Sequence, residues 1–177
     1  MLRGLGLALF AMSLAPLADA QTTEPLPAGW ERPTKADLGG ANPDAASSPN
    51  YDWQARLKNK YRYVRAEGDF NGDDKWDRAE MLVNRKAQTY ATFAFLSGQN
   101  EPIKLDEGPI RQIAGHGIAT GKPGRRQTTC GKGYGCQKGD VPFIDLRFAT
   151  IESFHFESSS SEFYWTGEKF EQFWTSD

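Results

Sequence analysis

The sequence predicts a mainly β fold of the α+β kind: an antiparallel sheet or compact sandwich of five or more strands, with one or two short N-terminal helices. Three observations predict it. Ala91, Phe93 and Phe95 alternate with other residues, and Ile144, Leu146 and Phe148 alternate with Asp145 and Arg147, the period of two that turns one strand face toward a core. The C-terminal stretch FYWTGEKFEQFW reads as two aromatic strands about a turn at Thr166-Gly167-Glu168-Lys169. No internal repeat runs along the chain, which leaves propellers and solenoids unsupported.

The first element is a targeting segment. A basic start at Arg3, an apolar run over residues 5–17 and the small-residue ending Ala18-Asp19-Ala20 read as residues 1–20 of a signal peptide with an A-x-A cleavage site. Ser13 and Pro16 interrupt the apolar run, which is shorter than the roughly 20 residues of a spanning helix. The expected product is soluble, without a membrane span, and periplasmic or secreted.

Residues 21–50 are rich in Pro, Gly, Ala, Asp and Ser, a composition that buries little surface of its own, and they are read as a flexible or partly ordered segment. Thr34-Lys35-Ala36-Asp37 has the spacing of a capping box, which Gly39-Gly40 would end almost at once. A second short helix is expected from Asn50 through Trp53 and Leu57. Residues 51–177 then form a single β-rich domain, with strands after Tyr61 and Phe154 and Phe156 continuing the alternation.

Removal of residues 1–20 leaves 157 residues with 20 basic and 22 acidic side chains, enough for one core. So balanced a charge offers no field for nucleic acid or an anionic membrane. The two cysteines, Cys130 and Cys136, lie in CGKGYGC, and an oxidising compartment closes such a pair. Closing so short a loop contributes on the order of 2 kcal/mol, so its main effect is to fix the shape of a glycine-rich loop. Two thiols alone fall short of the four ligands that structural zinc requires.

One stretch carries metal chemistry. In GDFNGDDKWDRAEMLVN, residues 68–84, the side chains of Asp69, Asn71, Asp73 and Asp77 place hard oxygens at alternate positions of a tight loop. A carbonyl near Lys75 adds another, and calcium takes six to eight such oxygens. An EF-hand needs a glycine at its sixth position and flanking helices. Here that position is Asp74, and Ala79 to Val83 reads as a strand. The stretch resembles the calcium loops of FG-GAP and VCBS repeats of integrin-type propellers, D-x-N-x-D-G-x-x-D-x-A, departing from them at Asp74. That resemblance covers about seventeen residues and occurs once. It implies calcium held by Asp69, Asn71, Asp73 and Asp77, with Ala79 at the small position, and the carbonyl at Lys75 completes the expected set. The chain as a whole resembles small exported bacterial proteins of unassigned role, which combine an early W-x-x-P-T segment (Trp30 to Thr34), one such loop and an aromatic C-terminal hairpin.

A second candidate surrounds the cysteines. Residues 121–139 carry Lys122, Arg125, Arg126, Lys132 and Lys138 with Tyr134, a basic, disulfide-closed protrusion suited to an acidic cleft of a partner or to an anion. The alternative is a solvated loop. His116 and His155 lack a local zinc signature and read as ordinary histidines. The run Ser158 to Ser161 has no nucleophile-elbow context and reads as a strand connection. Asp145, Glu152, Glu157 and Glu162 become a catalytic pair only if the fold sets two of them at the right separation. The tail aromatics read as core, with sugar stacking as the alternative.

The sequence therefore points to an exported, non-enzymatic binding or structural protein with a calcium-stabilised β-hairpin. The second reading is an inhibitor or immunity protein of an extracytoplasmic hydrolase, acting through Arg125, Arg126, Lys132 and Tyr134. A third is a carbohydrate-binding module. The partners these imply are an extracytoplasmic protein or a cell-wall glycan.

Overall fold

The computed structural model describes residues 25–39, 51–156 and 158–176. The signal segment and its cleavage point lie outside the described residues. Ten strands form three antiparallel sheets, so the mainly β expectation is met. The first sheet runs in chain order through β1 (Arg65–Gly68), β2 (Asp77–Asn84), β3 (Thr89–Phe95) and β4 (Ile103–Pro109). The second has the order β10 (Phe170–Ser176), β9 (Ser160–Trp165), β8 (Thr150–His155), β5 (His116–Gly121). A ribbon of β6 (Gly124–Gln127) and β7 (Phe143–Leu146) completes the set. Among the described residues no helix is long and apolar enough to cross a membrane.

The two four-stranded sheets share one core. Ala79, Met81 and Val83 of β2 and Tyr90 and Ala94 of β3 cluster with Ile118, Ile151 and Phe163 of the second sheet. Each large side chain so removed from water contributes about 1.5–3 kcal/mol. Leu82, Ala91 and Phe93 point the other way, into a second cluster closed by Leu26 and Trp30. The alternation at Ala91, Phe93 and Phe95 is therefore real, but it marks the outer face of β3, and the positions between them fill the shared core.

The N-terminal segment is the main surprise. Residues 25–39 are packed on the first sheet: Glu31 pairs with Val83 in an antiparallel bridge, the rings of Trp30 and Phe93 meet edge to face at 5.0 Å, and Leu38 is buried. A low apolar content did not prevent docking because each of the few large side chains meets a socket on β2 or β3. The capping box forms, with the Thr34 amide donating to Asp37 at 2.7 Å and the Asp37 amide to Thr34 Oγ1 at 3.4 Å. It closes a turn rather than the expected helix, since Gly39 at φ 81° ends the run at once.

The second expected helix is present as α1 (Tyr51–Leu57). Its Arg56 is fully buried and donates to the carbonyls of Arg62, Ile113, Ala114 and His116. One guanidinium thus ties the helix to the 3-10 turn Ile110–Gly115 and to the start of β5. The hairpin turn at Thr166 to Lys169 is as expected, with the Thr166 amide donating to the Lys169 carbonyl at 2.9 Å. Two readings change. Ser160 and Ser161 lie within β9 rather than in a strand connection. Strand β7 ends at Leu146, so Phe148 falls outside it.

Candidate functional site

The acidic loop joins β1 to β2 and is thus flanked by strands, which removes the EF-hand alternative. Gly72 at φ 80° and Asp74 at φ 62° both take the left-handed conformation. Asp74 therefore turns the backbone as the glycine of the pattern would, at a cost of about 1 kcal/mol for its Cβ. At Gly72 no substitute fits, because a Cβ there would lie 2.1 Å from the ring of Phe148.

The loop carboxylates are turned to the loop's own amides. Asp69 Oδ1 accepts from Gly72 at 2.7 Å and Asp73 at 3.2 Å, and its Oδ2 from Asp74 at 3.0 Å. Asn71 accepts from the Asp73 amide at 3.1 Å. Asp73 accepts from the Lys75 amide at 3.0 Å and from Ser97 Oγ at 2.7 Å, and these donors hold its carboxyl below the usual range. Asp77 is buried and accepts from the Phe70 amide at 2.9 Å and the Ser97 amide at 2.7 Å. Burial pushes its carboxyl up, and the amides pull against that.

Mutual repulsion of the acidic residues is thus met partly by backbone dipoles and by Lys75, whose ammonium stands 3.6 Å from Asp73. Among the described residues no three His, Cys, Asp or Glu side chains are grouped as metal ligands. The donor chemistry and the backbone turn nevertheless fit a hard cation. Asp69, Asn71, Asp73 and Asp77, with the Lys75 carbonyl, would hold it, and its charge would take over the role the amides now play.

The second candidate is the disulfide loop. Cys130 and Cys136 are bonded, and the loop begins with a 3-10 turn, Cys130–Lys132. Arg125 and Arg126 of the basic segment lie on strand β6 rather than in a loop, and that changes which cations face outward. Arg126 turns inward, donating to Glu162 at 3.1 Å and to the Lys122 carbonyl at 2.7 Å. Lys132 donates to the Thr175 carbonyl at 2.5 Å. Arg125 lies over the Phe143 ring, 4.6 Å from its centroid, and Tyr134 is exposed.

Sequence reasoning missed the apolar companions of that loop. Six large hydrophobic side chains are exposed among the described residues, and Tyr134, Val141, Phe143 and Trp174 are four of them. The backbone gathers these four. Thr129 donates to the Trp174 carbonyl and Tyr134 to the Thr129 carbonyl, both at 2.9 Å; Thr128 Oγ1 donates to the Val141 carbonyl at 2.6 Å; Gln127 pairs with Phe143. Three separate stretches of sequence, at Tyr134, Val141–Phe143 and Trp174, are thus brought beside one another.

Two other groups come together that the sequence keeps apart. The rings of His116 and His155, cross-strand neighbours on β5 and β8, stand 4.8 Å apart edge to face. Glu152 and Glu162 are cross-strand neighbours on β8 and β9. Glu162 is buried, with one oxygen on Arg126 and the other accepting from Thr150 Oγ1 at 2.6 Å. Its oxygens are occupied within the sheet, the arrangement of a structural carboxylate rather than one presented to a substrate.

No family model matches the chain, and no curated protein and no solved structure matches it.

Proposed function

We propose that this chain is an exported, non-enzymatic binding protein that engages a protein partner through the face built around the Cys130–Cys136 loop. The observation that carries the reading is the grouping of Tyr134, Val141, Phe143 and Trp174 with Arg125 beside them. Exposed Trp, Tyr and Arg are the residue types that dominate binding energy at protein interfaces. Residues 121–146 hold five basic and two acidic side chains in a chain of net charge −2, so the complementary partner surface is acidic. A disulfide that fixes the loop before contact lowers the ordering cost of association. The narrower reading, an inhibitor of an extracytoplasmic hydrolase, is favoured by the protruding, cross-linked form of this loop, which suits insertion into an acidic cleft.

Calcium belongs to this proposal as a brace. An ion in the FG-GAP-like loop would stiffen the β1–β2 hairpin, remote in the chain from the partner face, and supply no chemistry there. The test is capture from an envelope extract by the mature protein with its disulfide intact, followed by affinity measurement on the recovered partner. Tyr134→Ala and Trp174→Ala should each weaken binding about 30-fold, and Trp76→Ala, in the loop between β1 and β2, should not. A partner held equally well by both loop-face variants would remove this face from the function.

A further inference from the structure

A second binding site, independent of the disulfide face, lies on the outer face of the first sheet. A groove of about 530 Å³ runs there between the N-terminal segment and the turn at residues 97–100, a size suited to a small ligand. Its floor is a charged network. Glu80 of β2 is buried beneath three guanidiniums, with Arg32 at 3.1 Å, Arg65 at 3.3 Å and Arg78 at 3.3 Å. Arg65 also meets Glu67 at 2.5 Å, and Arg78 lies flat on the Phe95 ring, 3.8 Å from its centroid. The three guanidiniums stand against the carboxylates of Glu67 and Glu80, and Asp77, which also lines the groove, has its oxygens turned to the amides of Phe70 and Ser97. Arg65 Nε is buried with no hydrogen-bond partner among the described residues, and the Arg32 side chain is 50% exposed.

Beside this floor stands Trp76, 79% exposed. A single exposed indole says little, but the position of this one is fixed by the fold. Asp77 is held by the amides of Phe70 and Ser97, and Trp76, the residue before β2, and Arg78 flank it in the groove lining. Trp76 is thereby set on the groove side together with Arg78, and Gln99 and Asn100 contribute amides to the same lining. A flat apolar ring, planar guanidiniums that match a carboxylate and neutral amides that match hydroxyls are the complement of one ligand class.

We propose that this groove binds a carboxylate-bearing saccharide, with a sugar ring on Trp76 and its carboxylate on Arg32 and Arg65. Glu80 holds those guanidiniums in place from beneath. Partner binding at Tyr134 and Trp174 does not involve any of these residues, so either reading can fail while the other stands.

The experiment is calorimetric titration of the mature, disulfide-bonded protein with two acidic probes, trigalacturonic acid and the N-acetylglucosamine–N-acetylmuramic acid disaccharide. Fully methyl-esterified trigalacturonate and inorganic phosphate serve as controls. The expected result is saturable binding of at least one acidic sugar, at least tenfold weaker binding of the ester, and no competition by millimolar phosphate. Trp76→Ala, at an exposed position, should reduce affinity at least tenfold while leaving thermal unfolding unchanged. Arg32→Gln should reduce affinity at least tenfold with a small fall in melting temperature, because Arg32 is one of three partners of the buried Glu80. Flat titrations with both acidic probes would overturn the proposal. So would equal binding of acid and ester, displacement by phosphate alone, or affinity unaltered in both variants.

Discussion

Arg85 sets both arms of its guanidinium on both oxygens of Asp37, each at 2.6 Å. Its Nε donates to Glu31 at 2.7 Å. Through this fork the β2–β3 hairpin clamps the N-terminal segment at two points, on either side of the capping-box turn.

The clamp makes that segment acid-sensitive. The Arg85 guanidinium holds the Asp37 carboxyl down at about 2, against an ordinary 3.8. A carboxyl depressed in the folded state contributes stability above its unfolded value, and that stability is lost as pH falls through the folded one. The window is therefore pH 4 down to pH 2. Because Arg85 is partly exposed, the contribution is discounted to about 1 kcal/mol. Asp37→Asn should lower the melting temperature by about 3 °C at pH 7 and match the parent near pH 2. A constant difference across that range would show that charge is not the cause.

Arg56 gives a larger effect. From α1 its guanidinium serves four carbonyls, of Arg62 in the following turn, Ile113 and Ala114 in the 3-10 turn and His116 at the start of β5. Arg56→Met keeps much of the volume but strips those acceptors of a buried donor, at a cost of about 3 kcal/mol. Denaturant unfolding should show this as a shifted midpoint at unchanged slope. A loss under about 1 kcal/mol would mean that water reaches these carbonyls freely.

The Glu152 and Glu162 pair has the opposite sign. Burial pushes the Glu152 carboxyl above its ordinary 4.5, Glu162 adds to the rise, and Arg126 opposes it. A carboxyl raised in the folded state costs stability at neutral pH, and the cost disappears as pH falls below the unfolded value. Glu152→Gln should therefore raise the melting temperature by about 2 °C at pH 7 and leave it unchanged at pH 3. A lower melting temperature at pH 7 would instead make Arg126 the dominant neighbour.

These relationships separate what the sequence could reveal from what it could not. The strand period at Ala91, Phe93 and Phe95, the short helix before Leu57, the hairpin at Thr166 to Lys169 and the cysteine pairing were legible because each is local. The docking of residues 25–39 was not, since Trp30 needs Phe93 and Glu31 needs Val83, partners more than fifty positions away. The same holds for the sites. The acidic loop announces itself by spacing, whereas the face at Tyr134 and Trp174 and the groove at Arg32 and Trp76 arise from strand pairing. Arg126 shows the converse error: a basic residue in a basic segment bonds the buried Glu162 of β9, a partner 36 positions away that no local pattern reveals.

Calcium is tested through the one ligand whose other duties are slight. Asp69 organises the turn and Asp77 joins Phe70 to Ser97, so removal of either destabilises the loop with or without an ion. Asn71 accepts one amide bond, from Asp73, and its side chain also bonds the Asp73 carboxyl. Asn71→Ala should therefore cost less in chelator than loss of Asp69 or Asp77, yet abolish the calcium response. For the parent, calcium at about 100 times its dissociation constant adds about 2.7 kcal/mol, a rise of several degrees in melting temperature. Magnesium, which demands tighter octahedral geometry, should give much less. A parent protein that melts at the same temperature in millimolar calcium and in chelator would leave the loop as a turn closed by its own amides, with Lys75 its only cation.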